Sequence, residues 1–309
     1  MIRIGIVGTD VLAHLHTAVL MTNNSYEIVG CYALENRESM VFARQNRLVS
    51  YSSLDALFKY TDAIDITDDV PEIMFIAERA LKEMKHVYIT HPQNLSLDEI
   101  QYLVKLANES GVILQLATRH RYCPVYNHVS ELGIPRVVEV KHHMKRNKSE
   151  LCTQIKSELA YDLDFILGIM NANIAKIDVK TWSVSERNPD LLNCRLECDN
   201  GSYINIMMHT ILDGDPKIDF MFNFPDVIVQ ADIFKPVIEK QYCAYDVVDQ
   251  IEIENYNSKM VYKQDFVNFE KAILDDPDML SQIEQQLQCF AAADVIVERI
   301  RQVQTINTY

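Results

Sequence analysis

The chain has 309 residues, of which 48% are hydrophobic, enough for a sizeable core and for two domains. Its formal net charge of -15, from 44 acidic and 29 basic residues, disfavours binding to nucleic acid or to an anionic membrane surface. No apolar run approaches the roughly 20 residues of a membrane span, and Met1 leads into a strand pattern instead of a signal peptide.

The first twenty residues predict a buried strand, a tight turn and a helix. Apolar strand residues precede a turn that reads Gly8-Thr9-Asp10-Val11-Leu12-Ala13. This spacing is similar to the dinucleotide-binding fingerprint G-x-G-x-x-G/A, whose small residues let backbone approach a pyrophosphate at the helix N-terminus. Asp10 stands at the second glycine position. A carboxylate there suits the helix dipole, but it also competes with a phosphate for the same amides.

Short apolar strands alternate with helices as far as residue 118. Strands are predicted at Arg3–Val7, Glu27–Tyr32, Ala63–Ile66, His86–Ile89 and Ile113–Leu116. Helices are predicted at Leu12–Met21, Arg37–Gln45, Ser53–Phe58, Glu72–Met84 and Ser96–Ser110, the last with a Ser96–Glu99 capping box. This alternation with short connections predicts a Rossmann-type α/β domain with a doubly wound parallel sheet, spanning residues 1–118.

The pattern changes in residues 119–309, which predict an α+β domain with a mainly antiparallel sheet. Strands are predicted at Arg136–Met144, Lys176–Val184, Leu191–Cys198, Tyr203–His209, Lys217–Phe222, Val227–Ala231 and Ile233–Gln241. Helices are predicted at Val125–Leu132, Glu150–Met170 with a break near Lys156, Phe266–Asp275 and Met279–Thr305. Asp199-Asn200-Gly201 is a strong hairpin signal between two of the strands.

Seven cysteines without a framework spacing are typical of a reducing, cytoplasmic location. Cys194 and Cys198 lie four residues apart, but no second Cys/His pair stands close enough in sequence to complete a zinc set. We interpret them as two small residues on one strand face, and no metal site is predicted.

Several local motifs occur in a specific order and spacing. They are the first strand and turn, Ala80–Val87, Pro92 followed by Leu95-Ser96, Arg121-Tyr122-Cys123-Pro124, and the Asn200-Gly201 hairpin. In this order they resemble the glucose–fructose oxidoreductase / inositol dehydrogenase (Gfo/Idh/MocA) family. The resemblance implies hydride transfer between NAD or NADP and a small sugar- or polyol-like substrate. It also implies that residues 119–309 form the substrate domain, and that the chain forms a homo-oligomer through the sheet of that domain.

The resemblance also implies which residues meet the cofactor. These are Gly8, Thr9, Asp10, Val11, Leu12, Glu35, Arg37, Asp68 and Pro92. Ala33 stands where the family has an acidic ribose ligand, so Glu35 takes that role or Arg37 favours a 2′-phosphate. Asp68-Asp69 replaces a Thr-Pro pair, and with Asp10 it adds up to three negative charges. If these carboxylates point inward, affinity for a dianionic pyrophosphate falls, so NAD, NADP and no cofactor all stay open.

The proposed catalytic residues are changed as well. Thr90-His91-Pro92 replaces the family's Glu-Lys-Pro, and the helix segment Ser157–Asp164 carries Tyr161 where the family has a histidine. Asp164 remains. One interpretation is a His91–Tyr161 acid/base couple oriented by Asp164. The other interpretation is that both side chains are simply packed, and it is favoured because packed pairs are more common.

Basic residues near the predicted domain junction are candidates for substrate binding. Arg119, His120 and Arg121 either bind an anionic substrate group or form interdomain salt bridges. His142 and His143 alternate to opposite faces of a strand. One of them facing a substrate is the less favoured interpretation, and a solvated sheet edge is the more favoured.

Three functions therefore remain open. The first is an NAD(P)-dependent oxidoreductase acting on a sugar- or polyol-like substrate. The second is a non-catalytic relative, such as a sensor, a regulator or a partner subunit, that has lost hydride transfer. The third is a non-redox enzyme that uses His91 and Tyr161. Fold alone does not separate them.

Overall fold

The computed structural model describes residues 1–68, 72–118, 120–145, 151–182, 190–210, 216–233, 237–243, 248–253, 258–274 and 278–306. Asp69 and Arg119, two of the sequence candidates, lie outside these ranges. The chain forms two compact units. The first comprises Met1–Arg119 and Asn257–Leu287, and the second His120–Tyr256 and Gln288–Tyr309.

Every strand and helix predicted before residue 118 is present, with small shifts at the ends. The strands are β1 (Ile2–Val7), β2 (Tyr26–Tyr32), β3 (Ala63–Ile66), β4 (His86–Ile89) and β5 (Leu114–Leu116). The helices are α1 (Val11–Leu20), α2 (Asn36–Asn46), α3 (Leu54–Phe58), α4 (Ile73–Lys82) and α5 (Leu97–Ser110), with a 3-10 turn at Pro92–Asn94. The Ser96–Glu99 capping box is confirmed at the start of α5.

The parallel sheet of the first unit has the order β2-β1-β3-β4-β5. Ser50 adds one parallel bridge to Cys31 on the outer edge of β2, so the sheet continues by a single residue there. Counted with that bridge, the strand order is that of a doubly wound Rossmann sheet, which confirms the prediction. The order reverses between β1 and β3, and ligands of such sheets bind outside the carboxyl ends of the strands at this point.

The remaining elements build a second, mixed sheet and four helices. The strands are β6 (Val137–His143), β7 (Ile174–Trp182), β8 (Leu191–Cys198), β9 (Tyr203–His209), β10 (Lys217–Asn223), β11 (Val227–Asp232), β12 (Val237–Tyr242) and β13 (Val248–Glu252). The helices are α6 (Pro124–Ser130), α7 (Leu151–Met170), α8 (Ser258–Ile273) and α9 (Asp278–Ile306). The strand order is β13-β12-β11-β10-β6-β9-β8-β7, and only the β6–β9 pair is parallel. The mainly antiparallel sheet is therefore confirmed.

One face of this sheet packs against α7. Val138 and Val140 of β6 and Phe220 of β10 are buried, because alternate residues of a strand share a face. Phe165 of α7 lies 4.8 Å from Phe220, ring centre to ring centre. The predicted break in this helix is wrong: α7 is continuous, and the Lys156 ammonium pairs with Asp294 of α9 at 2.7 Å.

Helix α8 returns to the first unit. Phe266 and Phe269 join the core that Ile4, Tyr26 and Tyr88 build around the parallel sheet. The Tyr26 hydroxyl donates to the Phe266 carbonyl at 2.7 Å. The sequence predicted only Phe266–Asp275 as helix and placed it in the second domain, because its apolar residues do not reveal which core they enter.

β13 was not predicted from the sequence. Three of its five side chains are polar, and four of the five are exposed. In the described structure β13 pairs only with β12. The predicted strand Ile233–Gln241 begins at Val237, and residues 234–236 lie outside the described ranges. Such edge strands carry little hydrophobic signal because one side has no neighbouring strand.

The seven cysteines are free thiols, and all but Cys243 are buried. Cys194 and Cys198 share the buried face of β8 with Leu192 and Leu196, as the strand spacing predicts. Within the described ranges, no cluster of three His, Cys, Asp or Glu side chains is arranged to hold a metal ion. No helix in the described part of the chain has the length and apolar content to cross a membrane.

Candidate functional site

The turn between β1 and α1 requires glycine at position 8. Gly8 has a φ of +133°, a backbone conformation that side chains strongly disfavour. A Cβ at this position would lie 2.5 Å from the Asp68 carboxylate and closer still to the Thr67 hydroxyl. The turn therefore brings backbone against the carboxyl end of β3, where Thr67 and Asp68 follow the strand.

The amides of this turn already carry a carboxylate. The Thr9 N–H donates to Asp68 Oδ1 at 2.7 Å, and the Asp10 N–H donates to the same oxygen at 3.3 Å. Burial raises the pKa of Asp68, and the nearby charge of Asp10 adds to that effect, while the two amide hydrogen bonds oppose it. Asp68 thus makes the kind of contact that a phosphate makes at a Rossmann turn.

Asp10 caps helix α1 and also faces a histidine. Its Oδ1 accepts a hydrogen bond from the Ala13 N–H at 2.7 Å, the contact expected of an N-cap. Its Oδ2 lies 3.9 Å from Nε2 of His91, which follows β4 and is only 8% exposed. On the other side of the ring, His91 Nδ1 lies 3.2 Å from the Gln93 side-chain nitrogen.

A cavity of about 660 Å³ lies beside this turn. Its described lining residues are Thr9, Asp10, His14, Arg37, Glu38, Val41, Phe42, Gln45 and Asp68. Arg37 is therefore positioned along the cavity. Glu35, the other candidate for the ribose, is exposed at the N-cap of α2 and is not among these described lining residues.

The remaining cofactor candidates differ in their surroundings. Val11 is the first residue of α1, and its side chain is 82% exposed. Leu12 packs against the core of the first unit, so only its backbone faces the turn. Pro92 is buried at the start of the 3-10 turn after His91.

A second charged cluster lies on α7 in the second unit. Asp162 is fully buried between two histidines: His142 Nδ1 lies 3.0 Å from its Oδ2, and His120 Nδ1 lies 3.2 Å from its Oδ1. Burial alone would raise the pKa of Asp162, but His142 and His120 outweigh it and hold the pKa below its usual value. Burial lowers the pKa of His142, but the Asp162 and Glu158 charges raise it above its usual value.

Arg121 and Asp164 form an ion pair within the second unit. Arg121 Nη2 lies 3.4 Å from Asp164 Oδ1, and both side chains are buried. Burial raises the pKa of Asp164, and Arg121 partly opposes the shift. A Cβ at Gly168, one turn further along α7, would lie 2.8 Å from the guanidinium, so glycine makes room for Arg121.

Tyr161 also lies in this part of α7. It is 3% exposed, and its ring centre is 5.9 Å from that of His120. Tyr161, Asp164, His120 and Arg121 thus belong to one neighbourhood in the second unit, whereas His91 belongs to the first. The His91–Tyr161 couple stays a prediction.

Sequence reasoning missed Asp162 and the burial of His142. The expectation of a solvated sheet edge is wrong for His142, which is 2% exposed, while His143 on the opposite face is partly exposed. A usable signal existed. His142 shares the alternation of Val138 and Val140, and Asp162 interrupts an apolar run of α7, so both side chains were due to be buried and in need of partners.

A third buried polar group lies in the first unit. Asp265 of α8 accepts hydrogen bonds from the Tyr88 hydroxyl at 2.8 Å and from the side chains of Thr118 and Gln115 at 3.2 and 3.1 Å. Burial raises the pKa of Asp265 to about 7, although these hydrogen bonds favour the charged form. This carboxyl group ties α8 to the ends of the parallel strands.

These features define a class of protein: a Rossmann-type unit with a glycine turn after its first strand, joined to an α+β unit. The comparison with family models agrees. Residues 2–118 match the Gfo/Idh/MocA model, described as an oxidoreductase family with an NAD-binding Rossmann fold. The predicted resemblance is confirmed, and residues 2–118 match the Rossmann fold of that family.

Two curated relatives are sugar dehydrogenases by name. Glucose-6-phosphate 3-dehydrogenase of Bacillus subtilis is 25% identical over 151 residues, which cover 48% of this chain and 43% of the relative. UDP-N-acetylglucosamine 3-dehydrogenase of Acidithiobacillus ferrooxidans is 22% identical over 209 residues, 66% of each chain. The aligned parts thus span less than half of one relative and about two thirds of the other.

Solved structures match nearly the whole chain in fold. The UDP-N-acetylglucosamine 3-dehydrogenase GnnA from Acidithiobacillus ferrooxidans superposes with a TM-score of 0.84 at 18% identity, covering 98% of this chain and 99% of that one. GenD2 from gentamicin A biosynthesis, solved in complex with NAD, gives a TM-score of 0.76 at 14% identity, covering 95% and 92%. The likeness therefore extends to the second unit as a fold.

Proposed function

We propose that this protein is an NAD(P)-dependent oxidoreductase that interconverts a hydroxyl and a carbonyl group of a sugar- or polyol-like substrate. The observation that carries the proposal is the Gly8 turn, which lies at the switch point of a sheet matched by an NAD-binding family model. The relatives' names support the substrate class, since both act on sugars that carry phosphate groups.

The residues at the turn fit a dinucleotide in shape. Gly8 has no side chain at the closest approach, the first amides of α1 have no acceptor within the helix, and a cavity extends from the turn to Arg37. Such a turn is built to receive an anion. The charge is less favourable, because Asp10, Asp68 and Glu38 line the same cavity.

We assign the cofactor contacts accordingly. The backbone of Gly8, Thr9, Asp10, Val11 and Leu12 would meet the phosphates. Arg37 is better placed than Glu35 for the ribose end, which favours NADP through a 2′-phosphate. Asp68 and Pro92 would border the same ligand. A nicotinamide ring, when bound, supplies the hydride acceptor or donor.

His91 is our candidate for proton transfer in the first unit. Its Nε2 is buried, has no hydrogen-bond partner among the described residues and lies 3.9 Å from Asp10 Oδ2 at the turn. A protonated imidazole can donate to a substrate oxygen, and the neutral ring can accept a proton from a hydroxyl.

In the second unit, Tyr161 is the candidate acid/base group and Asp164 is a positioning residue. Asp164 holds Arg121 by an ion pair, so it acts on the site through that side chain. Arg121 and His120 are both candidates for contact with the substrate, and each of them faces a buried carboxylate of α7.

We also propose a homo-oligomer formed through the face of the second sheet opposite α7. That face mixes polar and apolar side chains that are partly exposed, including Glu139, Asp219 and Met221. We expect this face to pack against the same face of a second copy of the chain, since interfaces of two-fold symmetric homo-oligomers are self-complementary. Light scattering that gives the mass of a monomer would count against it.

The main test is calorimetric titration of the full chain with NAD⁺, NADH, NADP⁺ and NADPH. Binding of any one of them at micromolar concentration supports the oxidoreductase, and NADP(H) should bind more tightly than NAD(H) through Arg37. Arg37→Gln should remove that preference, while Arg47→Gln on the same unit should keep it. Turnover is then assayed with glucose 6-phosphate and UDP-N-acetylglucosamine.

A non-catalytic relative is the second candidate. The specific observation that favours it is the Asp68 carboxylate on the Thr9 and Asp10 amides, which gives the turn an anion of its own. On this reading no nicotinamide nucleotide binds even at millimolar concentration. The same titration therefore separates the two functions.

A further inference from the structure

Three of the positions that depart from the family pattern lie in a row, with Asp10 between Asp68 and His91. Asp68 replaces the first residue of a Thr-Pro pair, Asp10 a glycine and His91 a lysine. Asp68 accepts a hydrogen bond from the Asp10 amide, and the Asp10 carboxylate lies 3.9 Å from His91. The three residues therefore form one cluster of charged and titratable side chains at the turn.

Asp68 holds the amides more closely than a chance neighbour would. One oxygen accepts from two successive N–H groups, at 2.7 Å from Thr9 and 3.3 Å from Asp10. The bond to Thr9 is as short as charge-assisted hydrogen bonds usually are. Gly8 permits this approach, because a Cβ there would overlap the same carboxylate.

The position taken by this oxygen is the one at which a Rossmann turn presents its amides to an anion. Two anions cannot share the same pair of N–H groups, and each would repel the other. Asp10 and Glu38 add further negative charge around the cavity.

We propose that Asp68 is the resident anion of this turn, so that the phosphates of a dinucleotide bind only when the carboxylate leaves the Thr9 and Asp10 amides. This inference deepens the proposed function and rests on it for the identity of the ligand. If the proposal is correct, Asp68 lowers the affinity of the protein for the nucleotide.

The proposal predicts a dependence on pH. Protonation of Asp68 weakens its hold on the amides, so affinity for the nucleotide rises as the pH falls. The other titratable or charged groups around Asp68 are Asp10, His14, Arg37 and Glu38, with His91 beyond Asp10. Because these other groups lie around the same cavity, only the difference between wild type and Asp68→Asn reports on Asp68.

The experiment compares nucleotide binding by calorimetry to wild type, Asp68→Ala and Asp68→Asn, with Glu109→Gln as control. Glu109 is an exposed residue of α5, so its substitution changes net charge by the same amount in the same unit. We expect Asp68→Ala to bind at least about tenfold more tightly than wild type, which corresponds to one charge-assisted bond. Asp68→Asn should fall between them, and the control should match wild type.

A second titration uses inorganic pyrophosphate and the amide NMR signal of Thr9. We expect this signal to shift in Asp68→Ala at concentrations that leave wild type unchanged. Melting curves by circular dichroism check that each variant is folded, and Asp68→Asn, which keeps an acceptor oxygen, replaces Asp68→Ala if the latter is not.

Each outcome separates the two proposals. If wild type and Asp68→Ala bind the nucleotide equally, the proposed function stands and the role of Asp68 is refuted. If pyrophosphate reaches Thr9 in Asp68→Ala but no nucleotide binds any variant, Asp68 is the resident anion and the oxidoreductase assignment fails. If neither ligand reaches the turn in any variant, both fail.

Discussion

The two charged clusters of this protein treat negative charge in opposite ways. In the second unit, each buried carboxylate of α7 faces a basic side chain: Asp162 lies between two histidines, and Asp164 faces Arg121. At the turn of the first unit, Asp10, Asp68 and Glu38 line one cavity. Among the described residues that line it, Arg37 is the one with a permanent positive charge. One cluster is balanced and buried, and the other is unbalanced and open.

The difference shows what each cluster can be for. A balanced buried pair fixes neighbouring elements in place, and breaking it leaves a bare charge in a low-dielectric interior. An unbalanced cluster at a cavity can change its protonation, its contacts or its occupant at lower cost. We therefore expect substitutions in α7 to change stability and substitutions at the turn to change binding.

The largest expected effect comes from Arg121→Met, which keeps the bulk of the side chain and strands Asp164. Unfolding by urea should show a loss of about 3–5 kcal/mol, the usual consequence of removing one partner of a buried pair. Arg3→Met is the matched control, since Arg3 pairs with Asp62 at an exposed position and should change stability little. Equal effects of the two substitutions would mean that the buried ion pair matters no more to stability than the exposed one.

A second test uses pH and the buried carboxyl of Asp265. Its pKa is raised to about 7 in the folded state, above the unfolded value, so the folded protein binds the extra proton. The stability that it contributes is complete below about pH 4 and is lost as the pH rises to about 7, by at most about 1.4 kcal/mol per unit.

Urea titrations between pH 4 and pH 8 measure this slope, and Asp265→Asn should flatten it. Asp162 acts with the opposite sign, because its pKa is lowered: its contribution is present above the unfolded pKa and is lost as the pH falls through the folded pKa. A wild-type slope that survives in Asp265→Asn would mean that another group carries it.

Turnover offers a third test, applied to whichever sugar substrate supports it. His91→Gln should lower kcat by about a hundredfold or more, the usual effect of removing a proton-transfer group. His128→Gln in α6 is the control, because that ring has no assigned role. An unchanged kcat in His91→Gln would show that His91 does not transfer a proton in the reaction.

The smallest effect concerns the cap of α5. Ser96→Ala removes the side chain that accepts a hydrogen bond from the Glu99 amide at 3.3 Å, and it leaves the Gly8 turn unchanged. A loss of about 1 kcal/mol in unfolding free energy is expected, without any change in nucleotide affinity. Altered affinity would show that α5 influences the turn.

The sequence predicted the fold well where the pattern is local. Gly8, the alternating elements before residue 118 and the Asn200-Gly201 hairpin each follow from rules that act within a few residues. It failed where partners are distant. At the predicted break of α7, Lys156 pairs with Asp294, which lies more than a hundred residues away in sequence. The return of α8 to the first unit depends on aromatic contacts across a similar or larger separation.

For the candidate site too, the sequence predicted local features and missed those that depend on distant residues. The acidic residues at the turn were visible in the sequence, but whether Asp68 points inward could not be read from it, because that depends on how β3 ends beside β1. Asp162 interrupts an apolar run of α7, which indicates burial, but its partners His120 and His142 are distant in sequence and no local rule pairs them with it. Only its neighbours His120 and His142 make it tolerable there.

The return of α8 has a consequence for how the molecule is made. On the ribosome, the first 119 residues emerge without Phe266 and Phe269, so Tyr26 and Tyr88 have no aromatic cover until the later segment appears. The core of the first unit is thus complete only after most of the second unit has been synthesised. A nascent or truncated N-terminal fragment should therefore be a client for chaperones.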